Sequence, residues 1–226
     1  MLITFNRIKK IYYLGEIEIK ALDDVSFQID EGEFVAIMGP SGSGKTTILN
    51  ILGLLSRPTS GNYFLDNQNT ENLDDQGLAK LRNSKIGFVF QNFNLLPRFT
   101  AQENVELPLI YAGVDRKERV VRSLKVLEEV GLVDRSSHLS NQLSGGEQQR
   151  VAIARALVND SPIILADEST GNLDSKTGGE IMKLLDNINK KGNTIIMITH
   201  DPGIAAYAHR LITLKDGKIH PEEKSV

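Results

Sequence analysis

The chain has 226 residues, 40% hydrophobic and 24% charged, with 26 basic against 29 acidic side chains and a formal charge of −3. That balance is ordinary for a globular protein large enough to bury a core without disulfides or a structural metal. It lacks the basic excess expected of a domain that lives on a nucleic-acid backbone. With no cysteine, disulfide frameworks, thiolate metal sites and cysteine nucleophiles are excluded, which fits a reducing cytosol.

The opening stretch, M-L-I-T-F-N-R-I-K-K, has neither the apolar run nor the small-residue cleavage site of a signal peptide. No later run approaches the roughly 18–20 apolar residues that cross a bilayer, so action at a membrane would need another chain to supply the crossing. Segments around Leu2–Phe5 and Ile19–Ile29 read as antiparallel strands flanking a core. Phe34–Met38 (F-V-A-I-M), Ile86–Phe90 (I-G-F-V-F), Ile163–Ala166 (I-I-L-A) and Thr194–Thr199 (T-I-I-M-I-T) are continuous apolar runs, as in central parallel strands covered on both faces. Between Gln91 and Asp160 the texture changes. Val114–Val130 and Glu147–Val158 carry helical spacing, and Thr100-x-x-Glu103 and Ser144-x-x-Glu147 read as capping boxes that place helix starts. The expected organisation is an α/β core over about 1–90 and 161–220, with a mostly helical subdomain inserted over about 91–160. The polar tail from His220 to Val226 is expected to fray.

Directly after the first apolar run, Gly39 to Thr46 reads G-P-S-G-S-G-K-T, a glycine-rich loop between a strand and a helix. Gly39, Pro40, Ser41, Gly42, Ser43 and Gly44 let successive backbone N–H groups turn inward onto phosphate oxygens, and the helix start adds partial positive charge. Lys45 reaches the β- and γ-phosphates, and the Thr46 hydroxyl suits Mg²⁺. Downstream, Ile163–Ala166 runs into Asp167 and Glu168. A buried strand ending in Asp167 offers the metal a hard oxygen ligand, and Glu168 can orient or deprotonate an attacking water.

Leu143 to Arg150 reads L-S-G-G-E-Q-Q-R. Ser144, Gly145, Gly146 and Glu147 make a second anion-binding helix start. One chain then carries two phosphate-binding surfaces, more than one nucleotide on a monomer needs. With the glycine-rich loop and the Asp-Glu pair, this segment resembles the signature of the ATP-binding-cassette family, and the resemblance covers about Leu2 to Gly217. It implies a P-loop NTPase (RecA-like) α/β core with an antiparallel β flank and the inserted helical subdomain, and ATP and Mg²⁺ as ligands. It also implies a homodimer with ATP at the interface. The ATP set then runs from Gly39 through Thr46 to Thr47, with Ser144, Gly145, Gly146 and Glu147 supplied by the partner. The resemblance makes Gln91 the glutamine that contacts Mg²⁺ with Thr46 and Asp167. It places Asn172, Leu173 and Asp174 (in G-N-L-D) at the dimer interface and makes His200 the switch histidine. Glu168, His200, Lys45 and Gln91 are the implied catalytic residues. Tyr12, ten residues before Leu22, is favoured over Tyr13 to stack on adenine. Ser169 departs from the family, which places proline after the glutamate, and loosens the expected hold on Glu168.

Y-x-x-G-E-x-E-x-x-A-L from Tyr12, F-V-F-Q-N-F-N-L-L-P from Phe88, E-N-V-E-L-P-L from Glu103 and G-N-L-D-S from Gly171 are similar to the branch serving macrolide export, lipoprotein release and antimicrobial-peptide extrusion. That similarity implies an ATP-hydrolysing subunit powering a separate membrane permease, touched near Phe93–Arg98, and a cytoplasmic location on the inner face of the cell membrane. No nucleic-acid partner is expected. The competing classes are a soluble cassette ATPase of DNA repair or translation and a P-loop small-molecule kinase. The first would need a long coiled coil or two cassettes in one chain, and the second would replace the signature segment with an acceptor pocket and lid.

Overall fold

A computed structural model describes residues 1–220. The tail beyond His220 lies outside the described residues, and His220 itself closes a strand. Two compact units emerge, Met1–Ala79 with the stretch from Ile196 onward, and Lys80–Ile195.

The first unit opens with β1 (Ile3–Leu14) and β2 (Ile17–Ile29), paired antiparallel from Ile3↔Ile29 to Leu14↔Ile17. Register shifts after Phe5, Ile8 and Lys10 mark bulges, which bend a strand and let a longer ribbon follow the core. After β3 (Phe34–Met38) and α1 (Lys45–Leu52), β4 (Ser60–Leu65) adds to the far edge of β1 and β5 (Gln68–Asn69) to β4, giving the sheet order β2-β1-β4-β5. Its inner face buries Ile3, Phe5, Ile8, Leu22, Val25 and Ile29. The Phe5 ring centroid lies 4.6 Å from Phe27 and 4.7 Å from Tyr63. The Tyr63 hydroxyl donates to the Leu52 carbonyl at 3.0 Å and so ties this sheet to the end of α1. Burial pushes the Tyr63 phenol well above its ordinary pKa. α2 (Asp75–Lys85) then begins behind Asp74, which accepts from Gly77 N–H at 2.8 Å.

The second unit contains β6 (Ile86–Phe90), α3 (Ala101–Tyr111), α4 (Arg116–Glu129), α5 (Gly145–Leu157), β7 (Ile163–Asp167) and α6 (Ser175–Lys190). β6 and β7 pair in parallel from Ile86↔Ile163 to Phe90↔Asp167. α5 packs against α3, α4, α6 and β6 at once, so both strands group with the helices. Buried Asn104 fastens the stretch before α3. Its amide donates to the carbonyls of Leu96, Phe99 and Thr100, and its carbonyl accepts from Leu96 N–H at 2.8 Å.

β8 (Thr194–Thr199) begins in this stretch and carries the chain back into the first unit, where α7 (Pro202–Ala205), β9 (Arg210–Lys215) and β10 (Lys218–His220) follow. β9 runs parallel to β3, Val35↔Arg210 to Met38↔Thr213, in the order β10-β9-β3-β8. Phe34 to Ile37 are fully buried, as the apolar run requires of a strand covered on both faces. Among the described residues no helix is long and apolar enough to cross a membrane.

Candidate functional site

In the first unit the glycine-rich loop leaves β3 at Met38 and enters α1 at Lys45. Ser43 N–H donates to Pro40 O at 3.2 Å, and Gly217 N–H, from the β9–β10 turn, donates to Ser43 O at 3.0 Å. A Cβ at Gly39 would stand 2.1 Å from Leu214 O and 2.6 Å from Ser43 Oγ, so no larger residue fits there. Gly44 has φ +105 and a Cβ there would meet Ala21 O at 2.5 Å, a backbone state and an approach that only glycine allows.

The helix start behind this loop differs from the others. α3, α4, α5, α6 and α7 are each capped by a side chain (Thr100, Asp115, Ser144, Asp174 and Asp201), whereas α1 has no side-chain cap and no acidic residue in its first turn. Its leading N–H groups and helix dipole are thus available to an anion. Lys45 Nζ donates to Gly39 O at 2.7 Å and Pro40 O at 2.8 Å, which holds a cation over the same loop. Ser43 is buried with its hydroxyl unpartnered. An uncapped helix start, a lysine and an orphan hydroxyl fit a phosphate chain. The Thr46 hydroxyl in the same unit is a hard oxygen donor of the kind that suits Mg²⁺.

Also in the first unit, Tyr12 pairs with Ile19 on β2, and Lys10 Nζ lies 5.2 Å from its ring centroid. Tyr12 is 42% exposed and Tyr13 70%, so both offer a ring to a ligand. His200 is exposed at the end of β8, in a fastened turn. Asp201 N–H donates to Thr199 Oγ1 at 3.0 Å, and Asp201 Oδ1 accepts from Gly203 N–H at 2.7 Å.

In the second unit the register Phe90↔Asp167 makes Gln91 and Glu168 leave neighbouring strand ends together. Glu168 adopts φ 43, uncommon for a residue with a side chain. Gly171 N–H donates to its carbonyl at 2.8 Å, so the turn after Glu168 is closed by a hydrogen bond. Ser169 is buried with its hydroxyl unpartnered. The Gln91 amide nitrogen lies 2.7 Å from the Cβ position of Gly171. Asn172 Nδ2 donates to Gln91 O at 3.1 Å and to Asn92 Oδ1 at 2.8 Å. Asp174 caps α6 by accepting from Lys176 N–H, Thr177 N–H and the Thr177 hydroxyl. The Thr177 hydroxyl is the main reason its carboxyl sits below the ordinary pKa.

The segment from Ser144 to Glu147 forms the expected capping box. Ser144 N–H and Oγ each donate to Glu147 Oε2 at 2.8 Å, and Ser144 Oγ accepts from Glu147 N–H at 3.3 Å. The Ser144 backbone N–H is the largest cause, then its hydroxyl, of a Glu147 carboxyl held below its ordinary range, with Arg135, 3.3 Å away, adding to it. Ser144 is exposed, so its glycine-led turn faces outward. Nothing in the sequence reading marks Arg155, yet its guanidinium holds the backbone just after Gln91 through Phe93 O and Asn94 O. The available signal is a cation inside the apolar run V-A-I-A-R-A-L.

A family profile described as ABC transporter matches residues 22–171. MJ0796, an ABC transporter ATP-binding protein of Methanocaldococcus jannaschii, is 54% identical over 231 residues, covering 99% of this chain and 97% of its own. The macrolide export ATP-binding/permease protein MacB of Burkholderia pseudomallei is 49% identical over 218 residues, covering 96% of this chain and 33% of its own. A solved dimeric structure of MJ0796 in a post-hydrolysis state, bound to ADP and Pi, superposes with a TM-score of 0.89 at 52% identity, over 98% of each chain. The chain belongs to the ABC transporter family, as an ATP-binding and ATP-hydrolysing subunit.

Proposed function

We propose that two copies of this chain close head to tail on two molecules of ATP, each lying between the Gly39–Thr47 loop of one copy and the Ser144–Glu147 turn of the other. The observation that carries this reading is the helix start of α1, which alone among α3–α7 and itself lacks a side-chain cap and has a lysine folded over its loop. The backbone N–H groups of that start and Lys45 bind the phosphate tail, and Tyr12 stacks on the base. Thr46, Asp167 and Gln91 would hold Mg²⁺, which when bound supplies positive charge to the phosphate oxygens. Glu168 polarises the attacking water, and His200 with Lys45 stabilises charge as it develops on the transferred group. Asn172, Leu173 and Asp174 meet the partner copy. The dimeric, ADP- and Pi-bound state of MJ0796 supports this pairing.

Closure occurs because the terminal phosphate binds the closed arrangement better than the open one, and hydrolysis removes that preference. The core over about 1–90 and 161–220 would bind and cleave ATP, while residues 91–160 pass the movement on. MacB carries permease and ATP-binding functions under one name, and this chain matches a third of its length. That pairing of functions in MacB supports a membrane permease as the partner driven by this chain, docked near the largely exposed segment Phe93–Arg98. It also supports an export or lipoprotein-release role at the inner face of the cell membrane.

Glu168→Gln keeps the shape of the side chain and one acceptor oxygen but not its basicity. Steady-state turnover should fall by about 100-fold or more while ATP still binds. Turnover at the parental rate in that variant would remove Glu168 from the chemistry.

A further inference from the structure

Between β6 and α3 the chain takes a left-handed step, with φ 58 at Phe93 and φ 49 at Asn94. Asparagine tolerates that region, while a bulky aromatic residue does so rarely. Two consecutive residues persist there only when their surroundings hold them. The carbonyls of this pair converge on one side chain. Arg155 Nη2 donates to Phe93 O at 2.8 Å and Nη1 to Asn94 O at 2.6 Å. Arg155 stands in the last turn of α5, the helix that begins behind Ser144. Burial pulls its guanidinium below its ordinary pKa, and its bond to Phe93 O is part-buried, where a charge-assisted bond is stronger than in open water.

The same turn is held from its other end by Asn172, through Gln91 O and the Asn92 side chain. The Phe93 ring comes within 3.8 Å of the Cβ position of Gly145, and Leu173 within 3.3 Å of it. Residues 91–94 are thus pinned between the foot and the head of α5 and the loop that leads into α6.

We infer that Arg155 is a positioning residue for hydrolysis: by clamping the left-handed pair Phe93–Asn94 onto the helix that begins at Ser144, it fixes the backbone that aims Gln91. This inference rests on the proposed role of Gln91. An amide displaced by a fraction of an ångström still binds nucleotide but no longer completes the reacting geometry, so the loss falls on kcat.

The test is a double-mutant cycle on the purified full chain, read as ATP turnover at saturating Mg-ATP, with melting temperature and affinity for a fluorescent ATP analogue measured on the same samples. Arg155→Met, which keeps the buried stem and removes both donors, should lower kcat by about tenfold with KM for ATP changed less than twofold. Arg155→Lys, which restores charge and donors, should recover a large part of that loss. Combined with Gln91→Ala, Arg155→Met should add less than a twofold further loss, because both act on one group. Should the methionine variant fail to fold, Arg155→Gln, whose amide can serve one of the two carbonyls, takes its place in the cycle with the same expected coupling. Losses that multiply, or an Arg155 variant at the parental kcat, overturn the inference while leaving Gln91 in place. Gln91→Ala turning over at the parental rate overturns the reading of Gln91 and the inference with it.

Discussion

Glu168 ends β7 with φ 43, while the four residues before Asp167 are buried and regular. A side chain held in that region is costly unless the fold enforces it. Here the enforcement comes from the strand behind it and from Gly171 N–H on its carbonyl. The end of the strand before this carboxylate was legible in the sequence, because a short apolar run that stops on Asp-Glu marks where a buried strand gives out. The backbone conformation of Glu168 was not, since φ is set by the turn that follows. Arg155 was not legible for a related reason: its acceptors are carbonyls 61 and 62 residues away in sequence, and a carbonyl carries no residue code.

Glu147 gives a test at the same scale. Its carboxyl accepts from Ser144 N–H and hydroxyl and faces Arg135, so its folded pKa lies below the ordinary 4.5. A depressed pKa means that the folded state prefers the charged form. The stability it contributes is full above about pH 4.5 and is lost as pH falls through the lower folded value. Melting temperature followed from pH 7 down to pH 3 should therefore drop more steeply for the parent than for Glu147→Gln, which keeps an acceptor but cannot titrate. Parallel curves for the two proteins would contradict the assignment.

At the level of elements, the caps made the helices readable. Ser144 caps α5 as its box with Glu147 indicates, so the helix begins at Gly145, while Asp115 caps α4 and moves its start from the expected Val114 to Arg116. α6 escaped notice for the opposite reason. G-N-L-D read as an interface loop, yet its aspartate is the cap of a 16-residue helix. One residue serves two structures, and the sequence advertises only one at a time. β1 continues to Leu14, well past the expected Phe5, because bulges after Phe5, Ile8 and Lys10 break the alternation by which strands are recognised. The Thr100 box at the head of α3 is open to direct test. Its hydroxyl accepts from Glu103 N–H at 3.1 Å and donates to Glu103 Oε2 at 3.0 Å. Thr100→Ala should cost about 1 kcal/mol, seen as a melting temperature lower by about 2–4 °C, with ATP turnover little changed. An unchanged melting temperature would mean that water replaces the cap at no cost.

For the whole molecule, the two proposed phosphate-binding surfaces are the central feature. One lies at α1 in the first unit and the other at α5 in the second. The turn at Ser144 is exposed and its capping bonds to Glu147 are made within the chain, which suits the proposed contact with a second chain. Contacts within one chain carry no mark in its sequence of a twin, and only the surplus of anion sites pointed to one. The most direct measurement is the mass in solution of the hydrolysis-deficient Glu168→Gln protein with ATP, alone and with Ser144→Arg added. The single variant should run at twice the 25.0 kDa chain mass. The double variant should stay at the single-chain mass while still binding a fluorescent ATP analogue. A single variant that remains at one chain mass at high concentration, or a double variant that pairs equally well, would contradict the proposed pairing.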